Sequence, residues 1–119
     1  MRPSEIIYIA QPYSHPDPWV RQERYDQSIR ASAALLRKGM TVYSPIMHSH
    51  PVNWVWRDFG DAHEFWMRNH LPFLRVCRKM IVLKLDGWEQ SRGVAEEIEQ
   101  AAAYGIPIEY ATMQDIQEM

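Results

Sequence analysis

The residues best suited to chemistry lie in Leu85-Asp86-Gly87-Trp88-Glu89-Gln90-Ser91-Arg92-Gly93-Val94-Ala95-Glu96-Glu97-Ile98. A hydroxyl, Ser91, and a glycine, Gly93, stand where a helix is expected to begin. The first N–H groups of a helix have no acceptor within it, so they favour an anion, and Gly93 lets a phosphate approach the backbone closely. Glu97 follows four residues after Gly93, one turn deeper on the same helix face. A carboxylate there would lie beneath whatever is attached to the bound phosphate. With a 5′-phosphate at the helix end, the anomeric carbon of a sugar falls at that depth. On residue types alone, Ser91 and Gly93 serve equally well as a plain cap and a packing glycine. Glu97 sits in Glu96-Glu97-Ile98-Glu99, and most acids near a helix start are solvated and complement the macrodipole. No Gly-Lys-Ser/Thr follows, and no Gly-x-Gly-x-x-Gly, so neither a P-loop nor a dinucleotide fingerprint is present.

Other candidates have plainer alternatives. His48-Ser49-His50, with Asp58, Asp61 and His63 nearby, offers metal-type ligands. A His-x-His pair on an extended segment still needs a third ligand, and the reading preferred here is no metal and no cofactor. His48 is then either near the pocket or an ordinary loop histidine. Five tryptophans in one short chain are many, and Trp54, Trp56 and Trp66, with Phe59 and Phe65, could stack on a base. They could equally pack a core edge or a subunit contact. Arg75, Arg78 and Lys79 read as a solvated basic face, with an anion or partner contact as the alternative. Cys77 reads as a small buried apolar residue. Asp86 is a further candidate acid, although turn chemistry explains an Asp-Gly pair as well.

These residues must be placed by regular elements. Ile6-Ile7-Tyr8-Ile9-Ala10 is apolar and β-branched and reads as a buried strand. Asp17-Pro18 is a cap followed by a first-turn proline, so a helix is expected over 18–38, with Tyr25, Ile29, Ala33 and Leu36 as its apolar stripe and Asp26–Arg30 as an exposed pair. Gly39 ends it, and Met40-Thr41-Val42-Tyr43 is a second strand. Residues 45–60 have no clean period, which points to a lid or binding loop. A helix is expected over 61–76, kinked or split by Pro72. Met80-Ile81-Val82-Leu83-Lys84-Leu85 is a third strand. Ser91 caps a helix over 92–104 that turns Val94, Ile98, Ala101 and Ala102 inward. Ile106-Pro107-Ile108-Glu109-Tyr110 is an edge strand, since Pro107 cannot donate to a ladder, and a short helix follows Thr112.

This alternation predicts one α/β domain spanning 1–119: a three-layer, flavodoxin- or Rossmann-like fold with a parallel sheet of four strands in the order 2-1-3-4 and helices on both faces. Ligands in such sheets bind beyond the carboxyl ends of the strands, where the order reverses. The loops after strands one and three, residues 11–18 and 86–93, should therefore form the site. That places Ala10, Gln11, Ser91 and Gly93, with His48, in the expected substrate-binding set.

Ile6-Ile7-Tyr8-Ile9-Ala10 followed by Gln11-Pro12-Tyr13 is similar to the opening of the nucleoside 2-deoxyribosyltransferases. Ser91-x-Gly93-Val94-x-x-Glu97-Ile98, then Ala101 and Gly105-Ile106-Pro107-Ile108, resembles the nucleophile motif of that superfamily. The likeness is greatest to the branch that hydrolyses 2′-deoxynucleoside 5′-monophosphates and to small bacterial relatives. The resemblance implies a covalent mechanism at C1′. Glu97 would attack the anomeric carbon, as in a retaining glycosidase, and a base or water would then release the sugar. An ionised Glu97 requires surroundings that do not raise its pKa far above neutrality, with helix-end amides helping to keep it charged. Ser91 and Gly93 match the positions that hold the 5′-phosphate, and Tyr8 matches a tyrosine near sugar and nucleophile. The superfamily places an aspartate on the helix before the third strand, but here the stretch reads Arg68-Asn69-His70-Leu71. His70 is the stand-in acid, because histidine titrates near neutrality, and Asn69 is left with a binding role. The branch's phosphate-holding Ser and Arg after its first strand are replaced by Gln11, Pro12 and Tyr13. The expected catalytic set is thus Glu97, Tyr8, His70 and Asp86. A homodimer or homotetramer is also implied, since relatives often complete the site from a neighbouring subunit.

Composition narrows the class. The 119 residues carry 13 Lys+Arg against 15 Asp+Glu, a net charge of −2, which argues against a coat for a nucleic acid polymer. At 46% hydrophobic residues the chain is not disordered, and it can bury roughly two-thirds of its unfolded surface without a disulfide or metal. One cysteine excludes an intrachain disulfide and a cysteine-based zinc site. No apolar run approaches the roughly 20 residues of a membrane span, and the first ten residues lack a signal-peptide pattern. The expected compartment is the cytoplasm. The expected partner is a small nucleoside or nucleotide, or the same fold serves as a non-catalytic nucleotide- or sugar-nucleotide-binding module.

Overall fold

A computed structural model describes residues 5–56 and 62–119. Its strands are β1 (Ile6–Ala10), β2 (Thr41–Tyr43), β3 (Lys79–Leu83) and β4 (Ile108–Ala111). Its helices are α1 (Pro18–Arg37), α2 (Pro45–Val55), α3 (Ala62–Arg75), α4 (Arg92–Ala103) and α5 (Met113–Glu118), with a 3-10 turn at Trp88–Gln90. All strands are parallel, in the order β2-β1-β3-β4. Tyr8 lies level with Tyr43 on one side and Met80 on the other. The α/β sheet expected from the sequence is therefore the one that forms, with helices on both faces. Among the described residues, no helix is long and apolar enough to cross a membrane.

Side-chain alternation divides the sheet into two cores. Ile9, Ile81, Leu83 and Ala111 pack with Ala31 and Leu35 of α1 and Ile116 of α5. Tyr8, Ala10, Met80 and Val82 pack with Leu74 of α3 and with Val94 and Ala101 of α4. Each fully buried aliphatic side chain contributes about 1.5–3 kcal/mol of transfer free energy.

Local signals place most boundaries. Asp17 accepts from the Trp19 amide at 2.9 Å and Pro18 opens α1. Gly39, at φ 87°, turns the chain out of it. Thr112 and Asp115 close a reciprocal capping box on α5. Pro107 leads into β4 at the sheet edge, as its missing N–H requires.

Four expectations are corrected. The buried stripe of α1 is Ser28, Ala31, Ser32 and Leu35, while Ile29 and Leu36 are exposed. Small side chains let this helix lie close to the sheet, and the Ser28 hydroxyl donates to the Tyr25 carbonyl at 2.6 Å. Asp26 accepts from Gln22, at 3.2 Å. Residues 45–55 form a helix. Its inward stripe, Ile46, Ser49 and His50, is largely polar and so has no apolar period to reveal it. α3 runs through Pro72 without splitting. On α4, Ala102 faces solvent and Glu97 faces inward. Asp58, Phe59 and Asp61 lie outside the described residues.

Candidate active site

A cavity of about 480 Å³ opens at the carboxyl end of β1, between α2, α3 and the start of α4. It lies where the strand order reverses, the place such sheets offer to ligands. The segment after β1 contributes Gln11 and Tyr13, α2 contributes Ser49 and Asn53, α3 contributes His63, Trp66 and His70, and α4 contributes Ser91, Gly93 and Glu97.

Glu97 borders this cavity and is nonetheless only 4% exposed. Tyr8, fully buried behind it, donates its phenol hydrogen to Glu97 Oε2. Burial pushes the carboxyl pKa up to about 8; the Tyr8 hydrogen bond opposes that rise and nearby Glu96 adds to it. The requirement of a charge secured by helix-end amides is therefore not met. Glu97 is one turn too deep in α4, its hydrogen bond comes from a phenol, and desolvation prevails. Tyr8 itself is held neutral by burial and by the carboxylate beside it.

Ser91 is the helix cap and also a cavity wall. Its Oγ accepts from the Val94 amide at 3.2 Å. Gly93 has no need of its identity for packing. A Cβ there would meet Met67 Cε at 3.5 Å, an ordinary contact, and its φ is not positive. The bare backbone at this position leaves room in the cavity instead.

The structure separates the other expected residues. His70 is in the cavity wall, but burial, then His48, lowers its pKa to about 4. It stacks on Trp66 with ring centroids 5.5 Å apart and is a neutral imidazole near neutrality, not the stand-in acid. Asp86 lies outside the cavity, in an adjoining polar hollow with Arg24, and its carbonyl accepts from Arg24 Nη2 at 3.1 Å. Gly87 beside it has φ 88°, so turn chemistry accounts for the pair. Ala10 is buried in β1 and does not reach the cavity. Asn69 is exposed and donates to the Phe65 carbonyl. His48 is exposed on the helix surface, edge-on to Trp66. It diverges from His50, which stacks on Tyr25 at 4.2 Å, because two residues along a helix turn about 200°. Among the described residues no three His, Cys, Asp or Glu side chains converge on a metal position. Trp54 and Trp56 are exposed, whereas Trp66 joins the cavity.

Sequence reasoning missed Tyr13 and Asn53 and left His63 among metal candidates. His63 Nε2 pairs with Glu96 at 2.6 Å. The available signal was a helical face: positions 63, 66, 67 and 70 recur at the spacing of one side of α3.

No curated protein matches the chain. The family described as Domain of unknown function (DUF1937) matches residues 5–113. The chain belongs to that family.

Proposed function

We propose that this protein cleaves the N-glycosidic bond of a (deoxy)nucleoside or its 5′-monophosphate, or exchanges its base, through a glycosyl ester on Glu97. The observation that carries the reading is a buried carboxylate, held by a buried phenol, bordering a cavity that the start of α4 also lines. The resemblance of the Ser91, Gly93 and Glu97 motif to the deoxyribosyltransferase superfamily supports it. In the first step an ionised Glu97 oxygen bonds to C1′ as the C1′–N bond breaks. Its electron pair leaves with the base, which takes a proton from solvent. In the second, a water or incoming base attacks C1′ and loses a proton, and the ester C–O bond breaks to return the carboxylate. Ser91 and the adjacent α4 amides hold a phosphate or the 5′ end, and Trp66 offers a face to the base.

One observation favours a second reading, a nucleotide-binding module without turnover. Glu97 is mostly protonated at neutral pH, and no other carboxylate lines the cavity among the described residues. A panel of nucleosides and monophosphates, with free base followed by chromatography, decides between them. Turnover that falls at least about 10³-fold in Glu97→Gln is the expected result. Tight binding with no base release selects the module, and an active Glu97→Ala protein removes the covalent mechanism.

A further inference from the structure

The wall of the cavity is chemically mixed. The start of α4 contributes helix amides, which donate. The segment after β1 contributes Gln11 and Tyr13, and their hydrogen bonds can be traced to show what each still offers.

Gln11 is 5% exposed. Its Nε2 donates to the Arg24 carbonyl at 2.9 Å. A carbonyl only accepts, so the orientation of this amide is settled by its partner. Gln11 Oε1 is thereby the free atom, and it is buried with no hydrogen-bond partner among the described residues. Such an atom calls for an explanation, and Gln11 borders the cavity.

Tyr13 reaches the same state by a longer chain. Asp26 accepts from Gln22 Nε2 at 3.2 Å, which turns Gln22 Oε1 toward His50 Nε2 at 3.3 Å. An amide oxygen only accepts, so His50 Nε2 carries the hydrogen. Burial, and then Arg21, lowers the His50 pKa, which keeps the ring neutral and leaves Nδ1 bare. The Tyr13 hydroxyl, 2.6 Å from that Nδ1, must donate to it. A hydroxyl has one hydrogen and two lone pairs, and Asn53 donates to one of the latter. What Tyr13 retains is an acceptor.

We infer that the Gln11–Tyr13 wall is a hydrogen-bond acceptor subsite, which selects a ligand bearing an N–H or O–H donor against it. The inference rests on the proposed nucleoside reading and deepens it. The donor is either the amino group of the base or a hydroxyl of the sugar. Gln11 and Tyr13 are also positions at which the chain departs from the phosphate-holding residues of the hydrolase branch it resembles.

The test is calorimetric binding to the full chain, with base release read in the same samples. Adenosine is compared with purine riboside, which lacks only the 6-amino group, and with 2′-deoxyadenosine and 3′-deoxyadenosine, which each lack one hydroxyl. Adenosine is expected to bind about tenfold tighter than at least one analogue, and the one that fails identifies the donor. Tyr13→Phe and Gln11→Met should each shrink that ratio toward unity while leaving the weak analogue's affinity unchanged. Nitrogen NMR of labelled histidine should find His50 protonated at Nε2 only. Equal affinities throughout, a preference unchanged by both variants, or a His50 hydrogen on Nδ1 would overturn the inference. Base release without donor preference sinks the subsite and leaves the nucleoside reading standing. Donor preference without base release does the reverse, and no binding by any of the four sinks both.

Discussion

The two faces of one four-stranded sheet are built on different principles. On the α1–α5 face, Ile9, Leu35, Ile81, Leu83 and Ile116 close a core in which the strands contribute only apolar side chains. On the α3–α4 face, the strand residue at the same depth as Ile9 is Tyr8, and across from it α4 buries Glu97. The first face is stabilised by area removed from water. The second buries a titratable pair that costs desolvation, and it retains an open cavity beside that pair. A small domain can hold such a site because the opposite face supplies ordinary cohesion.

The comparison breaks most sharply under truncation. Leu35→Ala should cost about 3 kcal/mol in chemical denaturation, since it opens a void among aliphatic side chains. Glu97→Gln should do the opposite in alkaline solution. Folding raises the Glu97 pKa to about 8, so the native state holds a proton that the unfolded chain releases above its ordinary carboxyl range. The contribution is present below the unfolded value and is lost as pH rises through the folded one. The wild type should therefore weaken between about pH 5 and 8, whereas Glu97→Gln should remain flat and be the more stable protein at pH 9. Parallel melting curves at pH 5, 7 and 9 measure this, and parallel loss in both proteins would remove Glu97 as the cause.

The same shift sharpens the catalytic side. If the ionised carboxylate attacks C1′, base release should rise about tenfold from pH 7 to 9, with its midpoint near 8. A midpoint in the ordinary carboxyl range would mean that Glu97 is solvated during turnover. Ser91→Ala should have the smallest effect, about 1 kcal/mol of stability, because it removes a cap from the Val94 amide. A loss of phosphate-bearing ligands well beyond that of neutral ones would separate its ligand role from its capping role.

The architecture was legible because its signals are local. Asp17-Pro18 starts a helix, Gly39 ends it, and apolar runs between helices make buried parallel strands. The misreadings have local causes as well. α1 turns small serines and alanines inward, so its larger apolar residues marked the wrong side. α2 hides a helix because its buried stripe includes Ser49 and His50, which carry no hydrophobic period. His48 and His50 pair on an extended chain and diverge on a helix. Asp86 lies in the right loop and still misses the cavity.

Periodicity and capping, which act over a few residues, were enough to determine the strands, their order and every helix but α2. Which of Glu96, Glu97 and Glu99 is buried was decided only when α4 was seated against β1, which brought Tyr8 to a carboxylate 89 positions away. The proton preference of Glu97, the neutrality of His70 and the acceptor character of Gln11 and Tyr13 all follow from that packing. Desolvation and hydrogen-bond direction depend on every neighbour in space, and sequence spacing carries no record of them.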